Sequence, residues 1–126
     1  LDLTDQDTIR GLAEVAFRLK DWGSALTNFQ KVLTALDDSQ TEARADVYFK
    51  LGCIKREQGQ AKQAVGNFEK ALGVDAAHRP TLDALVSLYA ELKDWKQVVQ
   101  YKRLILDNVY EGPERFRILT EIGDVW

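Results

Sequence analysis

Lys20-Asp21-Trp22-Gly23-Ser24-Ala25 returns as Lys93-Asp94-Trp95-Lys96-Gln97-Val98, 73 residues further along a chain of 126. That separation is about twice the repeat length of solenoids built from helical pairs, so a middle copy is expected between the two. Gly59-Gln60-Ala61-Lys62-Gln63-Ala64 stands in that place. The chain therefore reads as one short unit written three times.

Around each copy the apolar residues recur at three and four positions, the spacing of one helix face. Leu82, Leu85, Val86 and Tyr89 form one such stripe, and Val98, Tyr101, Ile105 and Leu106 form the facing one. Small residues at the expected contacts (Ala13, Ala25, Gly52, Ala64, Ala71) allow two helices to approach closely. A glycine inside a helix costs about 1 kcal/mol relative to alanine, so Gly52 and Gly123 point to close packing. Ser39-Gln40-Thr41-Glu42 has the form of a capping box, with Ser39 as the cap and Glu42 reaching back; Thr4 with Asp7 is a weaker version. Asp21 and Asp94 are placed to cap second helices, and Gly59 suits the left-handed residue that ends a first helix. These signals predict seven helices, at about 5–20, 22–37, 40–58, 61–74, 80–92, 95–109 and 113–126. No segment shows the alternation of a half-buried strand.

The middle copy, Y-F-K-L-G-C-I-K followed by A-V-G-N-F-E-K-A-L-G-V-D between Tyr48 and Asp75, resembles the tetratricopeptide repeat. Tyr48 holds the first aromatic place, Leu51-Gly52 the L-G pair, Ala64 the small residue of the second helix, and Phe68 and Ala71 the next two. The first repeat carries Ile9, Leu12, Ala13, Ala25, Phe29 and Val32 at these places, and the third carries Leu82, Leu85, Tyr89, Val98 and Ile105. In a fourth, Ile122-Gly123 is the L-G pair and Trp126 the following aromatic. The resemblance implies an all-α, right-handed α-solenoid of about seven antiparallel helices. It frames residues 1–126 as a single repeat domain, with repeats at about 6–39, 45–78 and 79–112 and the first helix of a fourth at 113–126. Lys55 and Lys102 depart from the pattern at aromatic places, where Ile54 and Tyr101 can substitute by a small helix rotation with the lysine stems along apolar surface. Pro80 and Pro113 fall later than the usual inter-repeat proline and suit the first turn of the following helix. Roughly five residues are added around Asp37–Thr41. The chain starts at Leu1 and stops at Trp126 within an apolar-periodic segment, which reads as a piece of a longer, bacterial-style array. An uncovered apolar patch near Trp126 is expected there, suited to self-association.

Composition narrows the chemistry. A formal charge of −3 supplies no concentrated basic surface for nucleic acid or an anionic membrane, and the apolar runs are too short to span a bilayer. Cys53 is the single cysteine, so neither an intrachain disulfide nor a thiolate metal cluster is expected; a cytoplasmic setting is favoured. The only histidine, His78, falls in a turn between repeats and reads as a solvated loop residue. Cys53 reads as a partly buried structural thiol, because reactivity needs access and a lowered pKa. Carboxylates such as Asp5, Asp7, Asp37, Asp38, Glu111 and Glu114 read as helix-end and surface charges rather than metal ligands. Trp22 and Trp95 are equivalent and read as repeat-packing residues. No phosphate loop or nucleophile-base pair is present, so neither an enzyme nor a cofactor is expected.

The resemblance instead implies binding of another protein, as a peptide or a helix, in a groove lined by the first helices. The groove-facing places of the first repeat fall on Asp7, Arg10, Glu14, Phe17 and Arg18. Those of the second fall on Asp46, Phe49, Cys53, Arg56 and Glu57, and those of the third on Asp83, Ser87, Ala90 and Glu91. Phe49 beside Arg56 is the expected anchor, because aromatics and arginine dominate binding energy at interfaces. The family's carboxylate clamp uses lysine and asparagine on these helices, with lysine and arginine on the third. The corresponding places here carry Arg10, Glu14, Phe49, Cys53, Asp83 and Ser87, and the acidic and apolar residues among them would repel or fail to pair a carboxylate. A self-assembly or spacer segment, and a regulatory segment attached to an enzyme, are the alternatives.

Overall fold

The computed structural model describes residues 6–107, with side-chain detail from Thr8 onward. Among these residues there are six α-helices and no strands: α1 (Gln6–Arg18), α2 (Trp22–Ala35), α3 (Thr41–Glu57), α4 (Ala61–Val74), α5 (Arg79–Glu91) and α6 (Trp95–Asp107). The fold is an all-α helical repeat. The first six predicted helices all form, with ends within about two residues of expectation, the usual scatter of such boundaries. The predicted seventh helix, together with Pro113, Ile122-Gly123 and the patch near Trp126, lies outside the described residues, as does Thr4. The chain divides into two compact units, residues 1–75 and 76–126.

The three turns within the helical pairs share one construction. Lys20, Gly59 and Lys93 have φ of 61°, 77° and 59°. Each closes the turn with two backbone hydrogen bonds: Lys20 N–H to Phe17 and Asp21 N–H to Ala16, Gly59 to Arg56 and Gln60 to Lys55, and Lys93 to Ala90 and Asp94 to Tyr89. This is the Schellman pattern, which satisfies the last carbonyls of a helix through one left-handed residue. Asp21 and Asp94 then receive the backbone N–H of Ser24 and Gln97, both at 3.4 Å, and so cap α2 and α6.

In the first unit α1 packs on α2, α2 on α3 and α3 on α4. Ala13, Ala16, Ala25, Phe29, Val32, Val47, Leu51 and Ile54 form one buried cluster. Phe29 and Phe68 are fully enclosed, and each contributes about 1.5–3 kcal/mol by leaving water. Ala13, Ala25, Ala64 and Ala71 are all at 0% exposure, as their place at helix contacts requires. Ile54 is buried beside a half-exposed Lys55, so the branched residue takes the aromatic's role. In the second unit α5 packs on α6 through Leu82, Leu85, Leu88, Val98, Val99 and Ile105. Tyr89 and Tyr101 stack at 5.8 Å, and buried Tyr101 relieves the half-exposed Lys102. Pro80 sits in the first turn of α5, where its missing N–H costs nothing.

Three expectations are corrected. The capping box does not form: Ser39 donates both its backbone N–H and its hydroxyl to Asp37 Oδ1. That turns Ser39 into the enlarged loop, and α3 begins later with Gln40 at the cap and no side-chain bond. Asp37 is held below the usual carboxylate pKa, chiefly by the Ser39 hydroxyl and then by backbone N–H groups. Trp95 does not pack as Trp22 does. Trp22 meets Phe17 edge to face at 5.4 Å, whereas the residue in Phe17's place before Trp95 is Ala90, and Trp95 is 49% exposed. Leu12, assigned to repeat packing, is likewise half-exposed, because among the described residues no helix covers that side of α1.

Candidate functional site

One face of the first unit gathers most of the expected binding residues. Arg10, Glu14 and Phe17 follow one another at four and three positions along α1, and Asp46, Phe49, Cys53 and Arg56 do so along α3, so each set shares a helix face. Arg10 Nη2 stands 3.3 Å from Asp46 Oδ2, and Lys50 Nζ stands 3.9 Å from Glu14 Oε2. Both pairs join residues 36 positions apart. The Lys50 ammonium also lies 4.6 Å from the ring centroid of Phe17 and 5.9 Å from that of Phe49. One cation therefore ties two aromatic rings and a carboxylate from two helices. Phe49 leans on the buried Phe68 at 6.0 Å, and Phe17 packs against Phe29 at 6.4 Å. Each ring is half-buried, anchored from behind and open in front.

The ties are individually weak. Ion pairs exposed to this degree contribute about 0–1 kcal/mol, and an exposed cation–π contact about 0.5–1 kcal/mol. They fix side-chain positions more than they stabilise the unit. The face offers half-exposed aromatic surface ringed by charges of both signs, which suits a peptide with an apolar anchor and polar flanks.

Lys50 is the residue that sequence reading missed. The family's groove places step over it, yet its offset from Glu14 equals that of Asp46 from Arg10, and opposite charges at one fixed offset are a readable signal. Arg18 and Glu57 are exposed at the ends of the two helices, and Arg56 is half-buried. Asp83, Ser87 and Glu91 belong to the second unit. They are exposed along one face of α5, with Asp83 engaged by Arg79 Nε at 3.0 Å, while Ala90 is half-buried. The side chain of Asp7 lies outside the described residues.

Burial pushes the Cys53 thiol up to about 11, against smaller lowering by Lys50 and Arg56, so it is protonated at neutral pH and a poor nucleophile. His78 is not the freely solvated loop residue expected. It stands at the N-cap position of α5 without a side-chain capping bond, is half-buried, and places Nδ1 2.6 Å from the hydroxyl of fully buried Thr81; buried hydroxyls need such a partner. Among the described residues no three of His, Cys, Asp and Glu gather as a metal site would require, and no helix is long and apolar enough to cross a membrane.

The tetratricopeptide repeat model matches residues 5–77, more than half of the chain. The chain belongs to the tetratricopeptide-repeat family. Members of this family generally act as protein–protein interaction scaffolds. The backbone is similar to a structure solved in the functional characterisation of Pseudomonas aeruginosa PilF, with a TM-score of 0.74 and 16% identity. The match covers 98% of this chain and 55% of that one, so this chain spans about half of its length, and at that identity the likeness concerns the fold. No curated protein sequence matches significantly.

Proposed function

We propose that the α1/α3 face of this tetratricopeptide-repeat chain binds a peptide or a helix of a partner protein, as a non-enzymatic scaffold. The supporting observation is the Lys50 ammonium held between Phe17 and Phe49 while Arg10–Asp46 and Glu14–Lys50 link the two helices. That arrangement presents two aromatic rings without enclosing them. Phe49 supplies the apolar anchor and Arg10 and Arg56 the directional donors, whose planar forks suit carbonyls and carboxylates of a ligand. In the same reading the helix pairs are three repeats, at about 6–39, 45–78 and 79–112, with 113–126 opening a fourth. Asp83, Ser87 and Glu91 are then the ligand-facing residues of the third repeat.

A displayed peptide library selected on the full chain tests this. Binders are titrated against wild type, Phe49→Ala and Arg56→Ala, with circular dichroism as the folding control. Weaker binding by the folded variants is the expected result. Unchanged affinity in both overturns the assignment of this face.

A further inference from the structure

The α5/α6 pair keeps the turn of the α1/α2 pair but moves its aromatic rings. The turn hydrogen bonds of Lys20 and Asp21 recur 73 residues later at Lys93 and Asp94, so Trp22 and Trp95 leave equivalent backbone positions. In the first unit Phe17 stands edge to face with both Trp22 and Phe29, at 5.4 Å and 6.4 Å. At the same interval Phe17 becomes Ala90 and Phe29 becomes Lys102. The ring pair reappears one residue earlier on each helix, with Tyr89 and Tyr101 in the places of Ala16 and Asn28, stacked at 5.8 Å. One residue is about 100° around a helix, so that pair has turned away from the tryptophan. Trp95 has no ring contact among the described residues and is 49% exposed. Beside it the half-buried Ala90 takes the place from which a phenyl ring covers Trp22. Lys102 lies two turns on from Trp95 along the same side of α6, and Lys93 and Lys96 flank the indole in the chain. The nearest carboxylates in sequence are Glu91 and Asp94, and Asp94 accepts the N–H of Gln97.

We propose that the Ala90–Trp95 notch takes an aromatic side chain of a partner peptide, its ring set against Trp95 as Phe17 is set against Trp22. Edge-to-face geometry makes such a pair stronger than apolar contact alone, and Lys102 brings a cation that an aromatic ring attracts. Three lysines against two carboxylates, one of them engaged as a cap, favour an acidic residue beside the ring. The site lies wholly within the second unit and does not depend on the α1/α3 face.

The test titrates the full 126-residue chain with the blocked peptide acetyl-Ala-Glu-Phe-Glu-Ala-amide and follows the indole N–H resonance of Trp95, identified by its loss in Trp95→Phe. Saturable shifts are expected. The same peptide with leucine for phenylalanine should bind about threefold or more weakly, and one with lysines for the glutamates more weakly still. Ala90→Phe puts the chain's own ring in the notch, so it should move the Trp95 resonance without peptide and abolish binding. Should that variant disturb folding by circular dichroism, Ala90→Leu blocks the same place. Phe49→Ala should leave the titration unchanged. No binding, equal affinity for the leucine peptide, or binding that survives substitution of Ala90 overturns the proposal. Loss of the Trp95 shifts in Phe49→Ala would put the peptide on the α1/α3 face and overturn it as well.

Discussion

The ring of Phe68 occupies the space that a side chain on residue 52 would need. A Cβ built on Gly52 would stand 2.5 Å from both Cδ1 and Cε1 of Phe68 and 3.0 Å from Cζ. The L-G pair of this repeat is thus a hole on α3 filled by a knob from α4. Because Phe68 is itself at 0% exposure, it has little room to retreat. Gly52→Ala should destabilise the chain by about 1–3 kcal/mol through overpacking, despite alanine's better helix propensity. Phe68→Ala should cost about 3–5 kcal/mol by leaving a cavity. Urea denaturation followed by circular dichroism measures both. A stabilised Gly52→Ala variant would mean that helix propensity outweighs the contact.

The left-handed turn residues make a second, opposed pair of predictions. Gly59 at φ +77° has open space around its Cα, so Gly59→Ala tests backbone strain alone and should cost about 1 kcal/mol. Lys93, at φ 59° in the equivalent turn, already bears that strain. Lys93→Gly should be neutral or stabilising by up to about 1 kcal/mol, the relief being partly offset by the entropy of glycine in the unfolded chain. Shifts of opposite sign in urea midpoint are the expected result.

Cys53 gives a pH signature. Its folded pKa of about 11 lies above the ordinary 9.0 because burial disfavours the thiolate. A group raised on folding contributes stability that is complete below its unfolded pKa and lost as pH rises through the folded one. The chain should therefore lose stability between about pH 9 and pH 11, and Cys53→Ala should flatten that loss. Iodoacetamide labelling of the folded chain should be slow at pH 7 and accelerate up to about pH 11.

Lys50 organises the proposed binding face at small energetic cost. Lys50→Met keeps most of the stem's packing and removes the charge, so stability should change by less than about 1 kcal/mol. Affinity for a selected peptide should nonetheless fall, because Phe17 and Phe49 lose the cation that holds them in register. Denaturation curves and peptide titrations on the same variant separate the two effects.

The helices were legible because each depends on local signals: Asp21 and Asp94 as caps, Gly59 as the left-handed residue, and the apolar spacing of Leu82, Leu85 and Tyr89. Misreadings arose where a long-range or side-chain alternative decided the outcome. Ser39 fits a capping box, but Asp37 two residues away offers its hydroxyl a nearer acceptor. Trp95 repeats Trp22 in sequence, yet its burial depended on the residue in Phe17's place, which is Ala90. Leu12 matches a packing position whose burial in α3 comes from another helix. The candidate site was legible as helix faces, whereas the central place of Lys50 depends on the stagger of α1 against α3.

The most direct measurement is a proton–nitrogen correlation spectrum of the full chain titrated with a library-selected peptide bearing a spin label. The account predicts that broadening and shifts concentrate on Arg10, Glu14, Phe17, Asp46, Phe49 and Lys50 and vanish from that face in Phe49→Ala. Perturbations confined to residues off the α1/α3 face, with these six unmoved, would contradict it.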